Sequence, residues 1–293
     1  MKIFRDELRK RDFVITAECF LKPETDAESI KYQAETLRDY VDGIVLTDNQ
    51  YGQTHMSTLA AARLMLDNDV DPIVQLSCRN RNRIALMADL LGACALGVSS
   101  LLLIRGDRVP NGISPRPKAV LDMNVSELIA TAAKLKSDDR LRSAADLCIG
   151  STVTPHRPKA DWVPEKLTSK ADAGAQFLLA HANMDIRLLR NYMSHLIAAK
   201  LTRRVTIIAS TVILTSADDA RWLRDHRANI SIPDPVVHRL ENAADPREEG
   251  LAICAEHLSQ LATIPGVSGA NIIASTDLAM IPEVIDAADL SED

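Results

Sequence analysis

The side chains best suited to chemistry in this sequence are single charged residues that directly follow short apolar runs. Glu18 is the first of them, and it is flanked by Ala17, Cys19 and Phe20. A carboxyl group in such an apolar setting has a pKa raised by desolvation, which suits it to donate a proton near neutral pH. The residues alone support equally well a carboxylate at a protein rim that pairs with a neighbouring Arg or Lys.

The tripeptide Arg105-Gly106-Asp107 follows another apolar run. A glycine lets the backbone approach a flat or phosphorylated ligand closely, while Arg offers a donor fork and Asp offers an acceptor. A tight turn with a local ion pair is the alternative interpretation, and the spacing alone slightly favours it.

A wider set of polar residues follows the other apolar runs: Thr47-Asp48-Asn49, Ser77-Cys78, Thr152 to His156, and His181 with Asn183. Two histidines of this set could ligate a metal with an acidic neighbour, which would involve His156, His181 and either Asp48 or Glu18. No H-x-H or H-x-x-x-H spacing accompanies them, so we expect no metal site. No G-x-S-x-G turn is present to display a nucleophilic serine, so a Ser-His-Asp triad is not expected either.

These side chains need a scaffold that brings the ends of many apolar runs together. Short β-branched or Leu-rich runs alternate with longer segments whose apolar residues recur at helical spacing, which predicts repeated β/α units. The predicted strands are Phe13 to Ala17, Gly43 to Leu46, Pro72 to Leu76, Ser100 to Ile104, Leu147 to Gly150, Phe177 to Ala180, Val205 to Ala209 and Gly269 to Ile273. The predicted helices are Ala27 to Tyr40, Ser57 to Leu66, Asn82 to Leu96, Val125 to Leu135, Pro164 to Ala173, Asp185 to Ala199, Ala217 to Asp225 and Arg247 to Thr263.

Eight such units in 293 residues predict one (β/α)8 TIM barrel, an α/β fold that spans residues 1–293 as a single domain. A further helix, Ile232 to Ala243, precedes the last β/α unit. An open doubly wound sheet is the alternative, but the G-x-G-x-x-G turn after its first strand is missing. In a barrel the carboxyl ends of the strands build the active site, so Glu18, Asp48 and Asp107 should converge on one rim.

Composition and charge exclude several other classes of protein. Apolar residues make up 46% of the chain, and the net charge of -6 comes without a run of like charges that would suit nucleic acid or an anionic membrane surface. The apolar runs fall far short of the ~20 residues that cross a bilayer. The segment Met1 to Asp12 has no apolar signal-peptide core, so we expect a cytoplasmic protein. The five cysteines never form C-x-x-C, which indicates small core residues rather than a disulfide framework or zinc site.

Several of these segments together resemble 5,10-methylenetetrahydrofolate reductases. The stretch "SCRNRNRIALMADLLGACALGVSSLLLIRGD", Ser77 to Asp107, is similar to the family's T-C-R-D-R-N-R, L-L-G-A, A-L-G and L-x-G-D pattern. "TAECF", Thr16 to Phe20, is similar to the segment around the family's catalytic Glu, and "KADAGAQFLLAH", Lys170 to His181, to K-x-D-A-G-A-x-F-x-x-T-Q. With "ISIPDPVVHRLENAADPREEGLAICAEHLSQL" and "PGV" near the end, the resemblance spans nearly the whole chain.

The resemblance implies a barrel that binds FAD noncovalently and passes reducing equivalents between NAD(P)H, the flavin and the one-carbon unit of tetrahydrofolate. It implies that Glu18 is the acid that protonates the folate nitrogen, and that Asp107 lies beside both the flavin and the pterin. Contacts to FAD are implied for Thr47, Arg105, Gly106 and Lys170. A folate is the implied small-molecule partner, and self-association into a homo-oligomer is possible because barrel enzymes often associate.

The chain departs from the family pattern at positions that touch cofactor or substrate. Gln75 replaces a His, and Thr154-Pro155-His156 replaces Tyr-Pro-Glu, so the resemblance assigns Gln75, Thr154 and His156 to the cofactor site. His181 replaces the Gln that contacts folate; an imidazole there could shuttle a proton, or simply donate or accept a hydrogen bond. The sequence therefore predicts a flavin-dependent oxidoreductase that interconverts 5,10-methylenetetrahydrofolate and 5-methyltetrahydrofolate. The alternative is a divergent folate-binding barrel or partner subunit that lacks FAD.

Overall fold

Eight parallel strands close into a barrel in which each strand pairs with the next along the chain and β1 pairs with β8. The computed structural model describes residues 1–19, 21–109, 114–141, 144, 146–159, 161–227, 229–274, 277–288 and 290. The strands are β1 Val14–Cys19, β2 Gly43–Leu46, β3 Pro72–Ser77, β4 Ser100–Ile104, β5 Cys148–Val153, β6 Phe177–Ala180, β7 Thr206–Ile213 and β8 Val267–Ala274. The predicted (β/α)8 barrel is confirmed.

Helices surround the barrel and cover the outer faces of its strands. Those of the described residues are α1 Phe4–Lys10, α2 Ala27–Leu37, α3 Thr58–Asp67, α4 Arg83–Leu96, α5 Val125–Lys136, α6 Glu165–Asp172, α7 Ile186–Ala198, α8 Ala217–His226, α9 Asp234–Asn242, α10 Pro246–Ala262 and α11 Met280–Ala288. Helix α9 is the extra helix expected before the last β/α unit. None of these helices is both long and apolar enough to span a lipid bilayer.

Local sequence signals explain where several helices begin. Asn124 precedes α5 and accepts a hydrogen bond from the Glu127 N–H, while the Glu127 carboxylate accepts one from the Asn124 N–H. This reciprocal capping box satisfies two backbone donors that a helix otherwise leaves without partners. Helix α4 begins in the same way after Asn82, whose side chain accepts from the Ala85 N–H. These caps fix the loops that lead from the barrel mouth into the helices.

Helix α1 closes the amino-terminal end of the barrel, and the sequence analysis did not predict it. Its single buried residue, Phe4, lies edge-on to Phe177 with 5.3 Å between the ring centroids. The carboxylate of Asp71 accepts hydrogen bonds from the Phe4 N–H and the Ser99 hydroxyl. Phe4 therefore packs into the apolar cluster at this end of the barrel interior, and the Asp71 carboxylate holds the start of α1 in place.

The opposite end of the barrel interior is polar. Side chains alternate along a strand, so Val14, Thr16 and Glu18 of β1 share one face. Val14 packs with Phe4 in the apolar cluster, whereas the Thr16 hydroxyl donates to the Asn271 amide oxygen at 2.9 Å. Glu18 is the last of the three and lies at the mouth.

The structure corrects the predicted ends of five strands. β1, β3, β5, β7 and β8 all extend past the last residue predicted for them, so Glu18 lies within β1 rather than after it. A polar residue ends an apolar run in the sequence, but in a barrel it continues the strand when it points into the polar mouth. All five cysteines are buried, as expected for core residues.

Candidate active site

Glu18 is a buried carboxyl group whose partner is an amide rather than a cation. Its exposed fraction is 8%, and its Oε1 accepts a hydrogen bond from Gln50 Nε2 at 3.1 Å. Burial raises the pKa of Glu18 from 4.5 to about 7; the amides of Gln50 and Asn271 act to lower the pKa, and the charge of Asp107 acts to raise it. Near neutral pH this group can therefore both give and take a proton.

Asp107 follows β4 and lies close enough to Glu18 for its charge to act on the Glu18 pKa. Its Oδ2 accepts a hydrogen bond from the backbone N–H of Tyr51 at 3.0 Å. Its charge also acts on the pKa values of His181 and Arg227, which belong to the sixth and seventh β/α units. The structure thus brings Glu18, Asp107 and His181 together at the barrel mouth.

Asp48, the third carboxylate expected at this rim, is taken up by an ion pair. Its two oxygens accept hydrogen bonds from the Arg81 guanidinium at 2.6 and 3.1 Å, and the Ser77 N–H donates to it at 2.7 Å. A bidentate pair of this kind fixes geometry and satisfies the charge. Asp48 is therefore a support for the strand ends; the rim carboxylate paired with a cation, which was the alternative interpretation for Glu18, is found at Asp48 instead.

Thr47 and Gln75 brace the same strand ends through their polar atoms. The Thr47 hydroxyl donates to the carbonyl of Cys19 at 3.3 Å, and the Gln75 amide oxygen accepts from the Asp48 N–H at 2.7 Å. Both contacts hold the backbone beside Glu18. The direct contact to a cofactor expected for each of them stays a prediction.

Gly106 lies in a place that no other residue fits. Its φ of 88° is in the left-handed region, and a Cβ there would lie 2.8 Å from the Cβ of Arg79. Arg79 is buried and donates to the carbonyls of Asp107 at 3.0 Å and Asn49 at 2.6 Å. Arg79 thereby joins the loops after β2 and β4. It stands within the stretch Ser77 to Asp107, but its sequence position alone does not reveal this contact.

A basic cleft opens beside Gly106 and Asp107. Its volume is about 530 Å³, within the range of small-molecule sites. The cationic residues in its wall are Arg79, Arg105, Arg108, Arg116 and Lys118, and its apolar residues include Val109, Ala119 and Leu121. Several arginines around an open backbone suit phosphate groups, and the apolar part of the wall suits a flat ring. Arg105, Arg108, Arg116 and Lys118 are therefore the groups of this cleft that could hold the diphosphate of a dinucleotide such as FAD, whereas the Arg79 guanidinium already donates to protein acceptors.

Lys170 on α6 and His181 directly after β6 lie close enough together for the charge of Lys170 to act on the pKa of His181. The Lys170 ammonium donates to the carbonyl of Thr152, and burial, with the nearby charge of Lys166, lowers the Lys170 pKa to about 8. Burial also lowers the pKa of His181. The charge of Asp107 acts to raise this pKa, and the charge of Lys170 acts to lower it further. His181 is therefore a neutral imidazole at neutral pH.

Thr154 and His156 lie on the exposed part of the loop after β5. The His156 ring contacts Trp162 and Tyr192, with centroid distances of 4.9 and 5.2 Å, and its Nδ1 lies 3.2 Å from the Thr154 carbonyl oxygen. The contacts of His156 within the described residues thus belong to an aromatic cluster against α7. The structure does not bring these two residues together with Glu18 and Asp107, and their predicted cofactor contact stays a prediction.

The loop after β2 carries further site residues that the sequence analysis missed. Gln50 and Tyr51 lie in a short 3-10 turn, Gln50–Gly52, directly after the motif that was singled out. The guanidinium of Arg227, from the segment between α8 and α9, lies over the Tyr51 ring as a cation–π pair. In the sequence, the only sign of Gln50 and Tyr51 is that they directly follow Thr47-Asp48-Asn49.

The described part of the chain contains no group of three or more His, Cys, Asp or Glu side chains arranged to hold a metal ion.

Comparisons with known proteins bear on the family and the fold of the chain. The sequence model of the family "Methylenetetrahydrofolate reductase" matches residues 3–285. A comparison with curated proteins gives no match. One similar solved structure is described as "Uncharacterized protein from Clostridium thermocellum binds two copies of 5-methyl-5,6,7,8-tetrahydrofolic acid"; it has a TM-score of 0.66, 15% identity, and coverage of 97% of this chain and 96% of that chain. DmoA from Hyphomicrobium sulfonivorans has a TM-score of 0.57 and 10% identity, with 94% and 86% covered. At these identities the solved structures show a shared fold.

Proposed function

The chain belongs to the methylenetetrahydrofolate reductase family, and on that premise we propose that it interconverts 5,10-methylenetetrahydrofolate and 5-methyltetrahydrofolate at the Glu18–Asp107 site. We include FAD as the cofactor and NAD(P)H as the co-substrate in this proposal. The observation that carries it is Glu18, a buried carboxyl group with a pKa raised to about 7 and no cationic partner among the described residues. The Clostridium thermocellum protein that binds a methylated tetrahydrofolate on the same fold supports the substrate class.

Glu18 supplies the proton in the proposed reaction. In its protonated form it donates to the nitrogen of the folate imidazolidine ring, and the ring opens to an iminium whose methylene carbon can accept hydride. The carboxylate left behind keeps its hydrogen bond from Gln50 Nε2 at 3.1 Å. The negative charge of Asp107, close to Glu18, stabilises the positive charge that develops on the substrate.

FAD, when bound, supplies hydride transfer between NAD(P)H and the one-carbon unit. The cations of the basic cleft would hold its diphosphate, and the open backbone at Gly106 would let it lie close to Asp107. Lys170, held by the Thr152 carbonyl, adds a positive charge at the same mouth. The Tyr51–Arg227 cation–π pair lies close enough to Asp107 for the charge of Asp107 to act on both side chains.

A folate-binding barrel without flavin redox is the second candidate. It is favoured by Thr154, which is exposed and offers no planar surface at the position where the family carries Tyr. The visible spectrum of the purified protein distinguishes the two. The first proposal predicts an absorption band at about 450 nm, typical of a bound flavin. This band should bleach when NAD(P)H is added and recover when 5,10-methylenetetrahydrofolate is added. A colourless protein that rejects added FAD yet binds tetrahydrofolate would overturn it and support the second.

A further inference from the structure

Gln50 makes one hydrogen bond to Glu18 and leaves one buried polar atom without a partner. Its Nε2 donates to Glu18 Oε1 at 3.1 Å. Its own Oε1 is buried and has no hydrogen-bond partner within the described residues. A buried amide oxygen without a donor costs free energy, so its presence beside a reactive carboxyl group calls for a donor that arrives with a ligand.

The loop around Gln50 is held in an uncommon conformation by bonds from several elements. Asn49 and Tyr51 have φ values of 49° and 56°, which non-glycine residues rarely adopt. Three bonds hold them there: the Tyr51 N–H donates to Asp107, Arg79 donates to the Asn49 carbonyl, and the Asn49 N–H donates to His55 Nε2. The position of Gln50 is therefore fixed by its surroundings.

We propose that Gln50 is a positioning and specificity residue for this site: its amide nitrogen sets which oxygen of Glu18 carries the proton, and its amide oxygen binds an N–H group of the folate ring. The proposal rests on the proposed function for its substrate. Because the amide N–H occupies Oε1, that oxygen is the carbonyl oxygen of the protonated acid, and Oε2 carries the proton toward the substrate. The fused pyrimidine of a tetrahydrofolate bears N–H donors on its ring and its exocyclic amine, which match the free acceptor of Gln50.

Other groups that affect the titration of Glu18 come from four parts of the chain. Asp107 faces it from the loop after β4, Tyr51 from the loop after β2, the Cys19 thiol is its neighbour on β1, and the amide of Asn271 on β8 acts to lower its pKa. Arg227 is close to Tyr51 and Asp107 and offsets part of their effect. The hydrogen bond to Oε1 comes from Gln50, so removal of the Gln50 amide has an effect of its own.

The first test is a carboxyl titration that needs no turnover. Protein labelled with carbon-13 at the Glu side-chain carboxyl would be titrated by NMR, with Glu18→Gln to assign the signal. Gln50→Met removes the donor and keeps the volume; we expect the Glu18 titration to move up by about one pH unit, since a hydrogen bond to a charged group is lost. Gln53→Met, the same change at an exposed position of the same loop, should leave the titration in place. No movement, or a movement downward, in Gln50→Met would overturn the positioning role.

The second test is equilibrium binding of tetrahydrofolate. Gln50→Met should weaken binding about tenfold, the equivalent of one hydrogen bond. Gln50→Glu keeps an acceptor oxygen for the folate N–H, so its affinity should stay within about threefold of wild type, and the added negative charge beside Glu18 should also move the Glu18 titration upward. Equal affinity in wild type and Gln50→Met would overturn the specificity role. If the wild-type protein binds no tetrahydrofolate, the proposed function fails and the specificity role with it, while the NMR titration still decides the positioning role.

Discussion

Asp107 accepts a hydrogen bond from the backbone N–H of Tyr51, with 3.0 Å between the nitrogen and Oδ2. The bond joins the loop after β4 to the loop after β2, and the residue before Tyr51 is Gln50, which donates to Glu18. Two carboxyl groups, one on β1 and one in the loop after β4, are thus held by consecutive residues of one loop. A change of charge at either is therefore felt at the other.

Asp107→Asn should change both halves of the reaction. An amide oxygen can still accept the Tyr51 N–H, so the loop should stay in place while the negative charge is lost. Because the charge of Asp107 helps to raise the pKa of Glu18, the pH at which the folate half-reaction begins to decline should move downward. Stopped-flow measurements of flavin reduction and of folate-dependent flavin oxidation should show both rates reduced at least about tenfold. If only one of the two rates falls, Asp107 acts in that half-reaction alone, and the proposed role in both is wrong.

Gly106→Ala should damage ligand binding more than its strain alone explains. An Ala at a φ of 88° costs about 1 to 2 kcal/mol, and its Cβ would also push against Arg79 at 2.8 Å. Gly97→Ala is the matched control, because Gly97 has a φ of 85° with open space around its position.

Urea unfolding should show a loss of stability in both glycine variants, larger in Gly106→Ala. FAD binding, followed by flavin fluorescence, should weaken at least about tenfold in Gly106→Ala and stay unchanged in Gly97→Ala. Equal FAD affinities in the two variants would mean that the cleft beside Gly106 does not hold the cofactor.

His181→Gln should separate proton transfer from hydrogen bonding. Burial holds the pKa of His181 below its ordinary 6.5, so the imidazole is neutral at pH 7 and gains a proton only as the pH falls. If His181 shuttles a proton, the wild-type pH–rate profile has an acidic limb that the amide variant lacks. Profiles that superimpose would show that His181 only binds the substrate.

Much of the fold followed from the sequence, because alternating β-branched runs and amphipathic segments are direct consequences of strands with helices packed outside them. Helix α1 was missed since it is short and buries only Phe4, which gives no helical period to detect. The end of β1 was placed before Glu18 because a charge normally ends a buried strand. In this barrel the interior is polar at its mouth, and the strand continues.

The candidate site was only partly accessible to sequence reasoning. Glu18 and Asp107 stand in motifs, and their apolar neighbours give a physical reason to single them out. Gln50 reaches Glu18 only because Asn49 and Tyr51 adopt left-handed conformations, which residue preferences disfavour and tertiary hydrogen bonds impose. Contacts of Arg79 and Arg227 depend in the same way on loops that meet in three dimensions.

Asp71→Asn should remove a pH dependence of folding stability. Burial raises the pKa of Asp71 from 3.8 to about 6, against the hydrogen bonds from Ser99 and Phe4. Since the folded-state pKa lies above that of the unfolded chain, the contribution of Asp71 is fully present below about pH 4 and is lost as the pH rises through 6. In urea unfolding from pH 4 to 7.5 the wild type should lose up to about 3 kcal/mol that Asp71→Asn does not. The same slope in both proteins would assign the effect to another group.

The most direct test of the account is the pH dependence of 5-methyltetrahydrofolate formation from 5,10-methylenetetrahydrofolate, NAD(P)H and FAD in wild type and Glu18→Gln. Because the acid must be protonated and the pKa of Glu18 is raised to about 7, the wild-type rate should fall about tenfold per pH unit above that value. Glu18→Gln should lower the rate at least about a hundredfold while NAD(P)H still reduces the flavin. A Glu18→Gln variant that forms the methylated folate at the wild-type rate would contradict the account.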